Sequence, residues 1–498
     1  MTPAQTHNRL VVGGSWLIAL QAVERLIGVV SVAILARLLT PTDFGVVAVA
    51  MTVVTAVELM SVFGFDWALV RQHDLSADHL NTAWTLRVLM GLGTWAALGL
   101  LGPLAAAFFR LPPLSSVLLI LGLASFLGSL ENIGTVFFRR DFAFHKEFLL
   151  RVATKLSGFV VSVLVAVTYR SYWALVVGTL ALRVGGTFAS YLLHPFRPSP
   201  TLVRARELFG FSSWVLLGNL VDYCRSRFAS MYLGRVFGAH VTGLFAVSAE
   251  LSSVPLTAIS GPINRVVYSK YSEDIRANRS LTNTYLEIAP LIWMIALPMC
   301  AGLIAVAPEV VRLVLGPKWE GAETVVSLFS VSAAFGVVTA NTHYVYWALG
   351  RSRVTATLSA VTASIAIPGI VLFSTVAGYK GAAIAAAVAA ASVAPINFTM
   401  LRRDAGIRFA DLWVRVWRST LGAGAIPLVL LTLPRPTQGT ATAVAVLLLT
   451  KVVVGAAVYI AAVSALWLVC GRPEGPERRI LRLVLQWWKR PLRQAAKP

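Results

Sequence analysis

Three charged residues lie close together inside an otherwise apolar stretch of the sequence. The segment VDYCRSRF at 221–228 carries Asp222, Arg225 and Arg227 within a run long enough for a membrane-spanning helix. A charge at the centre of such a helix costs roughly 2.5–3.5 kcal/mol, so these side chains should face water or polar groups. Arginine binds phosphate through two parallel hydrogen bonds, and a membrane carboxylate can carry a proton or coordinate a cation. These residue types therefore indicate a polar site inside the membrane.

A structural interpretation of the same residues stays open. Asp222 and Arg225 are three residues apart on one helical face and could simply form a local ion pair. That pair would leave Arg227 unexplained, because Arg227 lies about 200° round the helix from Arg225.

The composition indicates a polytopic helical membrane protein. The 498 residues are 57% hydrophobic and only 13% charged, the mean hydropathy is +0.74, and long apolar runs recur throughout. These runs do not alternate apolar and polar residues as membrane strands do, so we predict an all-α fold. About fourteen spans are expected, with approximate limits 10–39, 44–65, 82–108, 114–137, 147–168, 171–194, 209–233, 240–268, 285–306, 323–347, 353–377, 380–401, 415–433 and 441–469.

The basic residues orient the predicted spans. With the N-terminus inside, roughly three times as many Lys and Arg fall in inside loops as in outside loops, as the positive-inside rule requires. Both termini are therefore predicted to be cytoplasmic. Basic loops at an anionic inner leaflet account for most of the net charge of +21, which needs no nucleic-acid partner. The tail at 471–498 contains RRILRLVLQWWKRP, which predicts an amphipathic helix lying at the membrane surface.

An internal repeat relates the first and seventh spans. Residues 15–49 align with 213–247 without a gap, and matched positions include Trp16 with Trp214, Arg37 with Arg235, and Gly45 with Gly243. An even number of spans separates the copies, so the two halves should run parallel, as in many transporters with a site between their halves. The first span carries Gln21, Glu24 and Arg25, which are similar in type to the polar residues of the seventh span. We predict that both spans line one hydrated cavity.

The same pattern predicts the domain organisation. We expect an N-terminal lobe at 1–194, a Pro-rich cytoplasmic linker at 195–208 and a second six-helix lobe at 209–401. Two additional spans follow at 402–470, before the basic tail.

Several segments of the chain have a recognisable order and spacing: ARLLTPTDFGVVAVA, FFRRDFAFHKEFLLR, YWALVVGTL and RLVLGPKWEGAETVVSLFSVSA, followed by ALGRSR. Together they resemble bacterial polysaccharide exporters of the multidrug/oligosaccharidyl-lipid/polysaccharide (MOP) flippase superfamily, and the resemblance extends to about residue 400. It implies an inner-membrane flippase that moves a polyprenyl-pyrophosphate-linked oligosaccharide from the cytoplasmic to the periplasmic leaflet by alternating access. The product would enter exopolysaccharide, capsule or O-antigen assembly, and partners would include inner-membrane lipids and the polymerase and export machinery.

The resemblance and the charge pattern together suggest candidate residues for the site. Within ERLIG, Arg25 falls on a cavity arginine of similar lipid II flippases, whereas Glu250 stands where related exporters usually carry a basic residue. The candidate pyrophosphate ligands are Arg25, Arg225, Arg227 and Arg265; the candidate ion-coupling or cavity acids are Glu24, Asp222, Glu58 and Glu250; the candidate sugar contacts are Gln21, Asn219, Asn341 and Tyr344. For Asn341 and Tyr344 a helix-packing role is the stronger alternative.

Two alternative functions would require other sequence features. A cation-coupled multidrug exporter of the same superfamily would need an acidic cavity, and a glycan polymerase or ligase would need a long periplasmic loop. The sequence lacks the motifs GxxxxGK[ST], HExxH and GxSxG, and its three cysteines form no metal-binding pattern. We therefore expect no catalytic residue, no metal site and no cofactor, apart from a coupling H⁺ or Na⁺. Lys451, in the last span, is expected to snorkel or to pair locally.

Overall fold

The fold is defined by a computed structural model that describes residues 3–61, 76–141, 143–205, 213–434 and 440–482. Every regular element within those ranges is helical, so the all-α prediction is confirmed. The helices of the first half are α1 (Pro3–Leu38), α2 (Pro41–Ser61), α3 (Ala77–Phe109), α4 (Leu114–Ser129), α5 (Val136–Arg140), α6 (Phe144–Tyr169) and α7 (Trp173–Leu193). Those of the second half are α8 (Ser213–Val236), α9 (Gly238–Arg276), α10 (Leu281–Val310), α11 (Ala322–Thr339), α12 (Thr342–Ala348), α13 (Ser352–Ala377), α14 (Lys380–Ala405), α15 (Phe409–Leu430) and α16 (Ala441–Val469).

The helices coincide with the predicted spans. By length and composition, 10 segments of the described chain are long and apolar enough to cross a membrane, and α4 is a shorter apolar helix. The remaining predicted spans fall on α8, α9 and α15, which are long helices that carry more polar and charged residues. The chain is therefore a multi-pass membrane protein.

The chain divides into two compact units, each described here by itself. Unit 1 comprises Met1–Val247 and Val314–Glu320, and unit 2 comprises Ser248–Leu313 and Gly321–Pro498. The long helix α9 begins in unit 1 and continues into unit 2. By these contacts α8 belongs to unit 1, and the lobe boundaries expected from the sequence stay a prediction.

In unit 1 the helices pack against one another in pairs. Helix α3 packs against α4, α6 against α7, α1 against α6, and α8 against α2. The core around α2 and α4 is filled by branched aliphatic side chains such as Val49, Leu118 and Leu121. Close van der Waals packing of these side chains holds together helices whose backbone hydrogen bonds are already satisfied within each helix.

In unit 2 the central element is α10, which packs against α11, α15 and α16. Three prolines interrupt its hydrogen-bond ladder, and a single π-helical stretch, Val311–Leu315, follows its last turn. A second helix pair, α13 and α14, completes the unit, and α14 also packs against α11. The core includes the fully buried rings of Tyr271, Tyr285 and Tyr346.

In unit 1 the two copies of the internal repeat contact each other reciprocally. The contact joins two helix corners, the turn between α1 and α2 and the turn between α8 and α9. A Cβ added at Gly45 would overlap the carbonyl oxygen of Ala239, and a Cβ added at Gly243 would overlap the carbonyl oxygen of Pro41. Thr42 and His240 meet at 3.5 Å at the centre of this contact, and they lie 198 residues apart, as the aligned glycines do. Each corner therefore meets its own repeat copy, as expected for a pseudo-twofold relation.

A second feature of unit 1 follows the same repeat. The indole of Trp319, in the segment after α10, is fully buried, and its Nε1 donates a hydrogen bond to the carbonyl of Ala36 at 2.9 Å. Gly234 is the repeat copy of Ala36, and the ring of Phe109 at the end of α3 lies against it. An aromatic ring therefore packs at equivalent positions of the two helices, Trp319 at Ala36 of α1 and Phe109 at Gly234 of α8.

Candidate functional site

The polar residues of α1 include buried atoms that lack partners. Gln21, Glu24 and Arg25 are all half-buried, and Gln21 and Arg25 lie one turn apart on the same face. The Oε1 atom of Gln21 and the Nε atom of Arg25 are buried, and neither has a hydrogen-bond partner among the described residues. A buried polar atom without a partner costs about 1–3 kcal/mol, so such a pair is suited to binding a polar group or water.

The arginines of α8 point in different directions. The hydroxyl of Tyr223 donates to the carbonyl of Thr52 at 3.0 Å and so turns one face of α8 toward α2. Arg227 is one turn from Tyr223 and shares that side, whereas Arg225 lies on the other side and is exposed. The two guanidinium groups therefore do not converge from this helix alone.

Three candidate residues cannot be compared with the structure. The side chains of Asn219 and Asp222 on α8 and of Arg265 on α9 lie outside the described residues. The local Asp222–Arg225 pair considered from the sequence is accordingly untested, and the roles assigned to these residues stay predictions.

Glu58 is held by partners from two other helices. Its Oε1 accepts a hydrogen bond from the Ser125 hydroxyl at 2.6 Å and lies 3.8 Å from an Arg183 guanidinium nitrogen. The side chain thereby links α2 with α4 and α7. A carboxylate that already has a cationic partner is less suited to exchanging an ion than an unpaired one.

A second ion pair lies beside the first. Arg87 donates to Glu131 Oε2 at 3.2 Å and to the Gly128 carbonyl at 3.0 Å, while the stem of Arg183 packs on Gly128. The two pairs meet around one residue of α4 and form a polar network within unit 1. The sequence shows that these charged residues lie inside apolar runs. It does not predict which of them form ion pairs.

Two residues proposed to contact sugars belong to a packed core. The Asn341 amide nitrogen donates to the Tyr271 hydroxyl at 2.8 Å, and both side chains are buried. The ring of Tyr344 meets Trp347 edge-on, with 5.1 Å between centroids. This geometry favours the helix-packing alternative, and a sugar contact at either residue stays a prediction. Glu250, the remaining candidate acid, is exposed on α9.

The structure decides between snorkelling and pairing, the two alternatives expected for Lys451. Its Nζ lies 2.5 Å from Glu309 Oε1, and the two side chains are only 3% and 0% exposed. Lys451 therefore does not snorkel to the membrane surface; it pairs with α10 instead. Glu309 was not singled out from the sequence because its partner is 142 residues away. The second oxygen of Glu309 is buried without a hydrogen-bond partner among the described residues.

A further buried pair fixes the segment after α16. Arg418 binds Glu477 through two hydrogen bonds of 2.8 and 3.2 Å, and Arg479 meets Glu287 at 2.8 Å. These contacts attach the start of the basic tail to α15 and α10. Among the described residues, three or more His, Cys, Asp or Glu side chains nowhere come together as a metal-binding group.

The helices are arranged as in a membrane protein of known structure. The structure is similar to the lipid II flippase MurJ in its inward closed conformation, with a TM-score of 0.73 and 13% identity over 91% of this chain and 99% of that one. At that identity the likeness shows the fold. The predicted fold class, an all-α polytopic membrane protein of about fourteen spans, is confirmed, and its division into two parallel six-helix lobes with two additional helices stays a prediction.

The family follows from the sequence match. Residues 34–324 match the model of the family described as polysaccharide biosynthesis protein, and the chain belongs to that family. The lipopolysaccharide biosynthesis protein WzxC of Escherichia coli (strain K12) is 21% identical over 75% of this chain and 77% of its own length. The succinoglycan biosynthesis transport protein ExoT of Rhizobium meliloti (strain 1021) is 23% identical over 67% of this chain and 68% of its own length. The resemblance noted from sequence motifs is therefore confirmed.

Proposed function

We propose that the protein is a flippase for a polyprenyl-pyrophosphate-linked oligosaccharide. It would carry the lipid-linked repeat unit from the cytoplasmic to the periplasmic leaflet by alternating access, for exopolysaccharide, capsule or O-antigen assembly. The observation that carries this proposal is the combination of a polysaccharide biosynthesis family with the fold of a lipid II flippase. The membrane would be the bacterial inner membrane, with both termini cytoplasmic.

The chemistry of the cargo fits the polar residues of α1 and α8. A pyrophosphate carries at least two negative charges, and guanidinium groups bind phosphate with two parallel hydrogen bonds. Arg25 on α1 has a buried nitrogen without a partner among the described residues, which is consistent with a ligand-binding role. Arg225, Arg227 and Arg265 are the further proposed ligands, and the oligosaccharide would contact Gln21 and Asn219.

The low hydropathy of α8 and α9 also supports a hydrated path. Like α15, neither helix is among the described segments whose length and composition suffice for crossing a membrane. Both coincide with predicted spans, so each needs a face turned to water or to polar protein groups. A polar cargo needs such a path, whereas its prenyl chain can stay in the bilayer.

An ion gradient is the proposed source of energy. Glu24, Asp222 and Glu250 are the proposed carriers of a coupling H⁺ or Na⁺. Glu58 is the weakest of the four original candidates because Arg183 and Ser125 already bind it.

A multidrug-type exporter is the second candidate, since transporters of that kind share the superfamily. A cavity for cationic drugs should be acidic, whereas α1 and α8 together carry Arg25, Arg225 and Arg227. The described residues of these helices thus favour an anionic cargo.

The function can be tested with the purified chain in sealed vesicles. Vesicles would contain a fluorescent polyprenyl-pyrophosphate oligosaccharide, and a membrane-impermeant quencher would report the leaflet in which the label lies. Protein-dependent exchange between leaflets is expected, and vesicles without protein are the control. Export of a cationic dye without exchange of the lipid-linked sugar would favour the second candidate.

A further inference from the structure

Unit 2 contains an apolar groove to which the proposed transport reaction assigns no role. Its volume is about 990 Å³, and α10, α11, α14 and α15 form its walls. Most of the lining is aliphatic or aromatic, with Trp293 and Phe335 among the larger side chains. Because these helices cross the membrane, such a groove is suited to hydrocarbon chains.

One end of the groove carries two arginines. Arg402 lies in the last turn of α14, Arg408 is the residue before α15, and both are exposed and line the groove. Neither forms an ion pair with any side chain in the described part of the chain. The adjacent arginine differs, because Arg403 lies 3.9 Å from the Asp404 carboxylate, which also binds Arg351 at 2.7 Å. The groove thus ends at two positive charges for which the described residues supply no negative partner.

The short connection between α14 and α15 sets the separation of these arginines. Gly406 ends α14 with φ +70°, and the Ile407 amide donates back to the Leu401 carbonyl at 3.3 Å. Ile407 is fully buried, so the connection is anchored to the core of the unit. The two guanidinium groups are therefore presented on either side of a tight, anchored turn.

Aromatic rings lie directly beside the arginines. Phe409 meets Phe398 edge-on at 4.9 Å and stacks with Trp413 at 5.9 Å between centroids. Phe409 and Trp413 are each 42% exposed. Aromatic residues are enriched at the membrane–water interface, so this end of the groove has the character of the headgroup level.

We propose that this groove binds an anionic membrane phospholipid. The acyl chains would occupy the apolar walls, and the phosphate would accept hydrogen bonds from Arg402 and Arg408. Basic pockets between membrane helices bind anionic headgroups in this way, and the basic-residue distribution assigns this turn to the anionic cytoplasmic leaflet. The occupant is a resident lipid, so the proposal does not depend on which cargo the protein moves.

The test measures lipid retention by the full-length chain. Delipidated protein would be titrated with phosphatidylglycerol, with zwitterionic phosphatidylcholine or with a polyprenyl phosphate, and bound lipid would be counted by native mass spectrometry. We expect R402Q/R408Q to weaken phosphatidylglycerol binding about tenfold or more, given about 1 kcal/mol for each basic residue at the headgroup level. R403Q is the matched control and should bind like the unmodified chain, because Arg403 already has Asp404 as its partner.

A second variant tests the apolar walls. A391F places a ring inside the groove and should also reduce phosphatidylglycerol binding while leaving both arginines in place. Circular dichroism and thermal unfolding would establish that each variant is folded. The proposal is overturned if R402Q/R408Q binds phosphatidylglycerol normally, if R403Q loses it equally, or if phosphatidylcholine binds as well. It is also overturned if a polyprenyl phosphate, and no phospholipid, is the lipid that binds here.

Discussion

Gly45 and Gly243 each pack against the backbone of the helix corner that precedes the other. Gly45 lies against the carbonyl of Ala239, and Gly243 lies against the carbonyl of Pro41. In the aligned repeat these are the same two positions, exchanged between the copies. The contact is therefore self-complementary, and no side chain larger than hydrogen fits at either glycine without displacing backbone.

Adding a single methyl group at either glycine should destabilise unit 1. G45A and G243A would each overlap a carbonyl oxygen, and overpacking of this kind costs about 1–3 kcal/mol. The apparent unfolding temperature of the purified protein should fall in both variants. G93A is the control, because a Cβ at Gly93 meets no atom within 4 Å. Equal unfolding temperatures for all three variants would contradict the reciprocal contact.

Replacing one residue of the buried Lys451–Glu309 pair should destabilise the protein more than replacing both. K451M leaves a carboxylate buried without its partner, which costs about 3–5 kcal/mol. The double variant K451M/E309Q removes both charges and should recover most of that loss. A thermal unfolding series on the two single variants and the double variant measures the coupling. Additive losses in the double variant would be inconsistent with a direct pair.

The Glu58–Arg183 pair joins two membrane-spanning helices and should matter for packing rather than for ion coupling. The two side chains are 30% and 44% exposed and 3.8 Å separates the charged atoms, so removing Glu58 should cost less stability than breaking the fully buried Lys451–Glu309 pair. E58Q should therefore fold and retain most of its transport activity, since this carboxylate is already bound by a cation. E24Q is the comparison, because Glu24 remains a proposed coupling acid. Loss of transport in E58Q but not in E24Q would reverse these assignments.

His194, at the end of α7, should make stability depend on pH. Burial, followed by the positive charges of Lys146 and Arg197, lowers the pKa of His194 below its ordinary value of 6.5. The folded state thus binds the proton less readily than the unfolded state, so the stability contribution is complete above pH 6.5 and declines as the pH falls below it. The unfolding temperature should fall from pH 7.5 to pH 5.5, and H194N should reduce that fall. An identical pH profile for H194N would contradict the role of this imidazole.

The sequence alone predicted the helices but not most of their contacts. Apolar runs of about twenty residues gave the correct positions of the helices because hydrocarbon imposes both their length and their composition. The repeat was also visible, since Gly45 and Gly243 keep one offset. Pairings such as Lys451 with Glu309, or Arg183 with Glu58, were not predictable, because they depend on which helices become neighbours.

The candidate site was predicted only in part. Charges inside spans drew attention to α1 and α8, and the unpartnered atoms of Gln21 and Arg25 agree with a binding role there. The sequence already placed Arg225 and Arg227 on different sides of α8, but it did not show which of these sides faces α2. It also did not distinguish a sugar contact from a packed core at Asn341, whose Tyr271 partner is 70 residues away in the chain.

The central claim is that arginines of α1 and α8 carry the pyrophosphate of a lipid-linked oligosaccharide. The most direct measurement compares leaflet exchange of the labelled lipid in vesicles containing the unmodified chain, R25A, R225A or R227A. Each loss of a charged hydrogen bond to phosphate should slow exchange about tenfold, with normal protein levels in the vesicles. R353A, an exposed arginine near the start of α13, should exchange at the unmodified rate. Full exchange by R25A, R225A and R227A alike would contradict the claim.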